Sequence, residues 1–208
     1  MVRLSYTAIE TYKACPRLYK LRYIEGKTPD KETPYALQRG SAMHQDIADK
    51  INQGQISLLP EIVQRFITPS NQWIEQKIML NVDLLPTEDE TECVILGYCD
   101  FARKLNESLD VVDWKSGKTA GNRKQIKIYA LYFSELLKPK SILGHFGYLD
   151  LNVVKTFKIS TLDLLDIRDV LIEDLDRIGS DSYFVRNQSY RCKSCPFSFS
   201  CFFDGDKT

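Results

Sequence analysis

Residues Gly97 to Gly117 read GYCDFARKLNESLDVVDWKSG, and this stretch decides the fold. The run Val94 to Cys99 is short, apolar and β-prone, Asn106-Glu107-Ser108 is turn-like, and Leu109 to Trp114 resumes a strand. The stretch is therefore a β-hairpin. Successive strand side chains point to opposite faces, so Asp113 and Lys115 share a face from which Trp114 turns away. Asp100 lies opposite them on the partner strand. Two converging carboxylates form a hard-oxygen site suited to Mg²⁺ or Mn²⁺. A cation there lowers the pKa of a bound water and neutralises charge on a phosphate oxygen. Lys115 would stabilise the developing oxyanion or orient the attacking group. A lone D-x-K is usually a plain surface ion pair, so the rest of the chain must supply the case.

Composition sets the limits. The chain has 208 residues, with Lys+Arg and Asp+Glu both at 28. That length fits one domain with a real core. The balanced charge excludes a globally basic nucleic-acid binder, so any such surface must be a local patch. No apolar run approaches a membrane span, and the first residues, MVRLSYTAIETYK, read as neither signal peptide nor anchor. A cytoplasmic protein without a membrane partner is expected, in which six cysteines point to metal or redox chemistry before disulfides.

Before the hairpin, Thr7 to Glu10 is a capping-box pattern opening a helix that Pro16 interrupts. A second helix, Arg17 to Tyr23, interleaves Arg17, Lys20 and Arg22 with Tyr19 and Tyr23. Such a pattern can track a strand backbone and stack on bases. A polar loop spans Gly26 to Pro34. Gly40 to His44 begins another helix that ends near Gly54, its small residues allowing close backbone approach. Ile62 to Phe66 reads as a short helix. Trp73 to Val82 alternates as a strand, with Ile74, Gln76, Ile78, Leu80 and Val82 on one face and Glu75 on the other.

After the hairpin comes a flexible basic loop, Ser116 to Gly121, and Asn122 caps a helix reaching Leu137. On that helix Gln125 and Tyr129 share one face, Ile126, Ala130, Phe133 and Leu137 form the apolar stripe, and Arg123, Lys124 and Lys127 make the first turns basic. Ser141 to Leu151 and Val153 to Ile159 read as a strand pair turning at Asp150 to Asn152, with His145 structural. Thr161 to Ile178 is an amphipathic helix, too acidic to face DNA, with Gly179 at its C′ position.

The tail carries a second chemistry. Cys192, Cys195 and Cys201 follow a C-x₂-C-x₅-C spacing, and a tetrahedral site needs a fourth thiolate. Cys15 is favoured, because Pro16 exposes a helix end there. Cys93 and Cys99 fall on the predicted strand, where cysteine behaves as a small buried hydrophobe. Four thiolates suit Zn²⁺ or an iron–sulfur cluster, and the spacing does not separate the two.

Together the set Cys15, Gly40-x₃-His44, Gly97-x₂-Asp100, Asp113-Trp114-Lys115, Gln125-x₃-Tyr129 and Cys192-x₂-Cys195-x₅-Cys201 resembles the RecB-like branch of the PD-(D/E)XK nucleases. More narrowly it is similar to the iron–sulfur exonucleases related to the AddB nuclease domain and the CRISPR-associated adaptation exonuclease. The resemblance spans residues 5 to 203. It implies an α/β, restriction-endonuclease-like fold with a central mixed sheet flanked by helices. It implies one domain over residues 1–208, with a nuclease core of about 36–185 and cluster segments of about 5–25 and 186–203 joined by a 4Fe–4S cluster on Cys15, Cys192, Cys195 and Cys201. His44, Asp100, Asp113 and the Trp114 carbonyl would hold Mg²⁺ or Mn²⁺, Lys115 would be catalytic, and Gln125 and Tyr129 would support the site and the DNA. Glu75, an acid in the preceding strand, has a looser spacing and stays outside this core set. The implied activity is exonucleolytic DNA hydrolysis on single strands or free ends, in recombination and repair, phage DNA metabolism or CRISPR adaptation. Expected partners are DNA, further copies of the chain or CRISPR adaptation proteins. Arg17, Lys20, Arg22, Lys118, Arg123, Lys124 and Lys127 are the expected DNA contacts. The other reading is a non-catalytic DNA-binding or adaptor module, which would not need the intact Asp100, Asp113, Lys115 and His44 set.

Overall fold

The computed structural model describes residues 3–31, 35–69, 71–117 and 121–203. Its centre is a five-stranded mixed sheet in the order β1-β2-β3-β4-β5. The strands are β1 (Asn71–Leu80), β2 (Ile95–Leu105), β3 (Ser108–Lys115), β4 (Ser141–Tyr148) and β5 (Val153–Ile159). The β1–β2, β2–β3 and β4–β5 neighbours are antiparallel, and β3–β4 is parallel. A parallel neighbour requires a crossover, which the helix α5 (Arg123–Leu137) supplies. The Gly97–Gly117 hairpin forms as read, with Asn106 in left-handed conformation at its turn. β3 is buried on both faces. Leu109 and Val111 join the core under α5, while Val112 and Trp114 join a second cluster on the other face.

Helices cover both faces. The helices α1 (Tyr6–Ala14) and α6 (Thr161–Ser180) share the larger core with α5, and α3 (Tyr35–Asn52) and α4 (Glu61–Gln64) supply Ile47, Ile62 and Val63 to the second cluster. Among the described residues, no helix is long and apolar enough to cross a membrane.

Several local expectations change. The α1 cap is Ser5, whose hydroxyl accepts from the Ala8 amide, so the Thr7 capping box is not the one used. The second helix is a short α2 (Pro16–Tyr19) that widens into a π turn over Lys20–Ile24. α3 starts at Tyr35, five residues before Gly40. Gly179 lies within α6, which Asp181 ends, and Ser160 and Asp163 cap its start reciprocally. β4 ends at Tyr148, and one 3₁₀ turn leads into β5. His145 is structural as read: its Nδ1 lies 2.9 Å from Thr156 Oγ1 and its Nε2 3.4 Å from Asp110.

The largest change is in β1. Trp73 packs on Phe133 of α5 and Ile74 on the second cluster, yet Ile78 and Leu80 return to the α5 side. Unbroken alternation would keep Ile74, Ile78 and Leu80 on one face. The switch occurs at Glu75, whose φ is +46°.

Close packing also fixes β3 against β4. Gly147 is the register partner of Trp114, and a Cβ there would come within 2.3 Å of the indole. Overpacking of this kind costs about 1–3 kcal/mol. Gly147→Ala should therefore lower Tm by about 2–12 °C in a chain of this size. Gly117→Ala, with open space around it, should stay near the wild-type Tm in the same melts.

Candidate active site and cysteine cavity

The site lies where β2 and β3 part. Their ladder runs from Leu105↔Ser108 to Phe101↔Val112 and stops. The next facing pair would be Asp100 and Asp113. Instead, Asp100 Oδ2 accepts a 2.7 Å hydrogen bond from the Trp114 amide. Beyond the fork, Leu4 takes the free edge of β2, bonding Val94 and Leu96 through its amide and carbonyl.

Around the fork stand the expected groups. Lys115 Nζ is 2.6 Å from Asp113 Oδ2, as their shared face requires. His44 Nδ1 is 3.5 Å from Asp100 Oδ1. Gln125 Nε2 donates to the Tyr129 hydroxyl at 2.9 Å. The Tyr129 ring covers Gly97, where a Cβ would come within 3.1 Å of it, so the glycine makes room for the tyrosine. α3 approaches the loop after Lys115 closely: a Cβ on Gly40 would lie 3.1 Å from Ser116 Oγ. Next to Gly40 in the chain, Arg39 clamps Asp150 with two bonds of 3.1 and 2.7 Å.

Glu75 belongs to this group as well. His44, Glu75 and Asp100 present ligand atoms within 4.8 Å of one another. The left-handed backbone that switches β1 between faces occurs at the residue opposite Asp100. An acid in the preceding strand was the available signal, but regular alternation does not bring it to the site.

The electrostatics are those of crowded, half-desolvated acids. Burial, then the Asp100 charge, raises Glu75 to about 7. Burial and Asp100 also raise Asp113, against the opposing pull of Lys115. For His44, burial disfavours the charge, but the Asp100 hydrogen bond and the nearby carboxylates outweigh it and raise the pKa. Burial pushes the Tyr129 hydroxyl far up, which keeps it protonated. Two carboxylates and an imidazole, those of Glu75, Asp100 and His44, converge and fit a hard divalent cation, whereas Asp113 pairs with Lys115 and is not part of that group.

A second centre lies at the ends of the chain. Cys15, Cys192, Cys195 and Cys201 line one cavity of about 330 Å³, with Leu18, Leu21 and Arg186. Burial raises the Cys195 thiol, and the other three cysteines add to the shift. The Asn187 amide donates to Cys15 Sγ and the Ser189 amide to Cys192 Sγ, both at 3.5 Å. No three of these thiols come within 4.8 Å of one another. By contrast Cys93 and Cys99 are buried in the sheet region, as read.

The expected DNA contacts are dispersed. Arg17 lies 3.6 Å from Glu25 and Lys127 2.6 Å from Asp163. Lys20, Arg22 and Arg123 lie over the rings of Phe184, Phe197 and Phe157. Lys124 is exposed at the start of α5, and Lys118 falls outside the described residues. Tyr19 is fully buried against Tyr12, Tyr23 and Phe184, so it offers no face to a base.

Glu75, Asp113 and His44 all have raised values, so metal-free folded protein binds more protons than unfolded protein between about pH 5 and 7.5. Stability then falls as pH rises through that window. In EDTA, Tm should be higher at pH 5 than at pH 7.5, by about 2–4 °C for each ~1 kcal/mol of difference. Glu75→Gln should flatten the profile. An equally steep Glu75→Gln profile would show that Glu75 does not contribute.

No curated protein matches the chain. Two solved structures are similar to this chain. One is the crystal structure of SSO0001, at 15% identity and a TM-score of 0.49, with 95% of this chain and 85% of that one covered. The other is a "Putative exonuclease" from Eubacterium rectale, at 10% identity and a TM-score of 0.49, with coverages of 93% and 86%. The model of the PD-(D/E)XK nuclease superfamily matches residues 3–202. The match spans nearly the whole chain, and the chain belongs to the PD-(D/E)XK nuclease superfamily.

Proposed function

We propose that this chain, as a single domain, is a metal-dependent exodeoxyribonuclease that hydrolyses single-stranded DNA or DNA at free ends. The observation that carries this reading is the placement of Asp100 and Asp113 across the fork, with Lys115 against one and His44 and Glu75 against the other. Asp100, Asp113, His44 and the Trp114 carbonyl are read as ligands of Mg²⁺ or Mn²⁺, with Glu75 added to them. Such a cation, when bound, supplies Lewis-acid stabilisation of phosphate charge and acidifies a water.

The chain's own groups do the rest. Lys115 directs its ammonium at the point where phosphate charge grows, and its ion pair with Asp113 holds it there. Asp100 fixes the Trp114 amide and so the position of Asp113 and Lys115 on either side of it. Gln125 and the protonated Tyr129 hydroxyl offer hydrogen-bond donors at the edge of the site. The reading places the enzyme in DNA-end processing, whether in recombination and repair, phage DNA metabolism or CRISPR adaptation.

Asp100→Ala and Asp113→Ala should each abolish magnesium-dependent cleavage of labelled single strands, while melting curves stay cooperative. Lys115→Ala should bind metal by calorimetry yet lose about a hundredfold or more in rate, the scale of removing one charge-stabilising donor. Near wild-type cleavage by Asp113→Ala would overturn the assignment. Stoichiometric metal binding with no cleavage by wild type on any DNA end would favour an adaptor role.

The cysteine cavity is read as the seat of a 4Fe–4S cluster on Cys15, Cys192, Cys195 and Cys201. Zinc holds thiolates about 2.3 Å away, which puts tetrahedral sulfurs roughly 3.8 Å apart. A cavity of about 330 Å³ with more widely spaced thiols favours the larger guest. Anaerobically purified protein should be brown with about four irons per chain, the composition of that cluster. Cys15→Ala should bleach it as fully as Cys195→Ala, while Cys93→Ala stays coloured. Colourless protein with one zinc per chain would overturn the cluster.

A further inference from the structure

The helix α3 is anchored in the core by its second half. Its buried residues among those described are Ile47 and Ala48, and none of residues 38–46 is buried. Yet that first half carries Gly40 and His44, the parts of the helix that reach the fork. A Cβ on Gly40 would meet Ser116 Oγ at 3.1 Å, and His44 Nδ1 lies 3.5 Å from Asp100. A helix end without core packing of its own is placed by its polar contacts.

Arg39 supplies such contacts at the end of the sheet. The β3–β4 ladder stops at Lys115↔Tyr148. Ser116 follows Lys115, and Asp150 sits in the 3₁₀ turn Leu149–Leu151 that follows Tyr148. The Arg39 guanidinium donates to both. Its bonds to Asp150 are 3.1 Å from Nη1 and 2.7 Å from Nη2, and Nη1 also reaches the Ser116 carbonyl at 3.4 Å. One side chain of α3 thus fastens the ends of both strands beside Lys115. Side-chain exposures of 44% for Arg39 and 31% for Asp150 leave the pair well solvated, so its contribution to stability is small. What the bidentate guanidinium–carboxylate fork adds is a fixed direction.

We propose that Arg39 is a positioning residue of the fork. By clamping Asp150 and holding the Ser116 carbonyl it seats the first half of α3 over the ends of β3 and β4, and so sets the His44 imidazole against Asp100. His44 follows Arg39 by five residues, roughly 7.5 Å along the helix axis at about 1.5 Å per residue. A shift at the clamp therefore passes to the imidazole through rigid backbone. Groups that orient a metal ligand are commonly worth about tenfold to a hundredfold in metal affinity. The proposal rests on the reading of His44 as a ligand in a metal-dependent nuclease site.

The chain has two histidines, so proton NMR of the untagged protein in EDTA reads the His44 ring, with buried His145 as internal control. Arg39→Ala and Asp150→Ala should each shift or broaden the His44 signals and leave those of His145 unchanged. In calorimetry both variants should bind Mn²⁺ about tenfold to a hundredfold more weakly than wild type. The double variant should be no weaker than either single one, and Tm should stay within about 4 °C of wild type. In a His44→Ala background, adding Arg39→Ala should not change Mn²⁺ affinity further. On labelled single strands in Mg²⁺, the loss should fall on kcat rather than KM. Unchanged His44 signals in Arg39→Ala would overturn the proposal, as would an equal further loss of Mn²⁺ affinity in the His44→Ala background. A raised KM with unchanged kcat would overturn it too, being the mark of a substrate contact. Wild-type protein that binds Mn²⁺ but cleaves no DNA would overturn the nuclease reading, while the NMR and calorimetric comparisons still decide the role of Arg39.

Discussion

One hydrogen bond sets the geometry on which the forked end of the sheet depends. Where β2 leaves β3, the Trp114 amide loses its strand partner, and the buried Asp100 carboxylate takes the vacant place at 2.7 Å. A hydrogen bond to a charged group contributes about 1.5–3 kcal/mol, and an orphaned buried amide would cost about as much. The fork is therefore stabilised by a hydrogen-bond acceptor at this position. On its other side β3 stays paired with β4 as far as Lys115↔Tyr148. One edge of the strand is thus held rigid while the other opens, and Asp113 and Lys115 stand at that opening.

The fork gathers several unfavourable features in one place. Glu75 adopts a left-handed backbone without being glycine, which costs roughly 1–2 kcal/mol. Its carboxyl and that of Asp113 are pushed toward protonation by burial and by Asp100. Elsewhere buried acids are satisfied: Asp110 is bonded by Arg103, and Asp174 by Lys13. Buried carboxyls pushed toward protonation by a neighbouring acid, beside a strained backbone, mark a site shaped for a ligand rather than for stability. A divalent cation bound there would turn this repulsion into binding energy.

The parts of this plan that were legible in the sequence are those governed by local rules. The β2–β3 hairpin follows from period-two apolar runs around a turn, and α5 from the Asn122 cap and the Ile126–Ala130–Phe133 stripe. The four cavity cysteines stood out by spacing and by the helix-ending Pro16. What stayed hidden depends on tertiary contacts. Alternation cannot announce a face switch at Glu75, because the left-handed turn is imposed where β1 meets the opening of β2. The true start of α3 lies before Gly40, since helices tolerate a glycine at a close approach. Tyr19 and Tyr23 look equally available in sequence, yet Phe184, from the far end of the chain, buries the first.

The two centres are mechanically connected through the first residues. Leu4 is stitched to the free edge of β2 at Val94 and Leu96, just before Gly97 and Asp100. α1 begins two residues later and ends at Ala14, directly before Cys15. Its nine residues rise roughly 13 Å at about 1.5 Å per residue. A single rigid helix thus separates the fork from the cysteine cavity. At the cavity end, protein contacts alone already join the termini: Asn187 binds the Ala14 carbonyl, Tyr12 donates to Asp181, and Asp30 accepts from the amide and hydroxyl of Ser200. Any guest of the four thiolates adds to a clasp that exists without it. The role left to such a guest would be positional, setting where Cys15, and with it the far end of α1, sits relative to the forked strands.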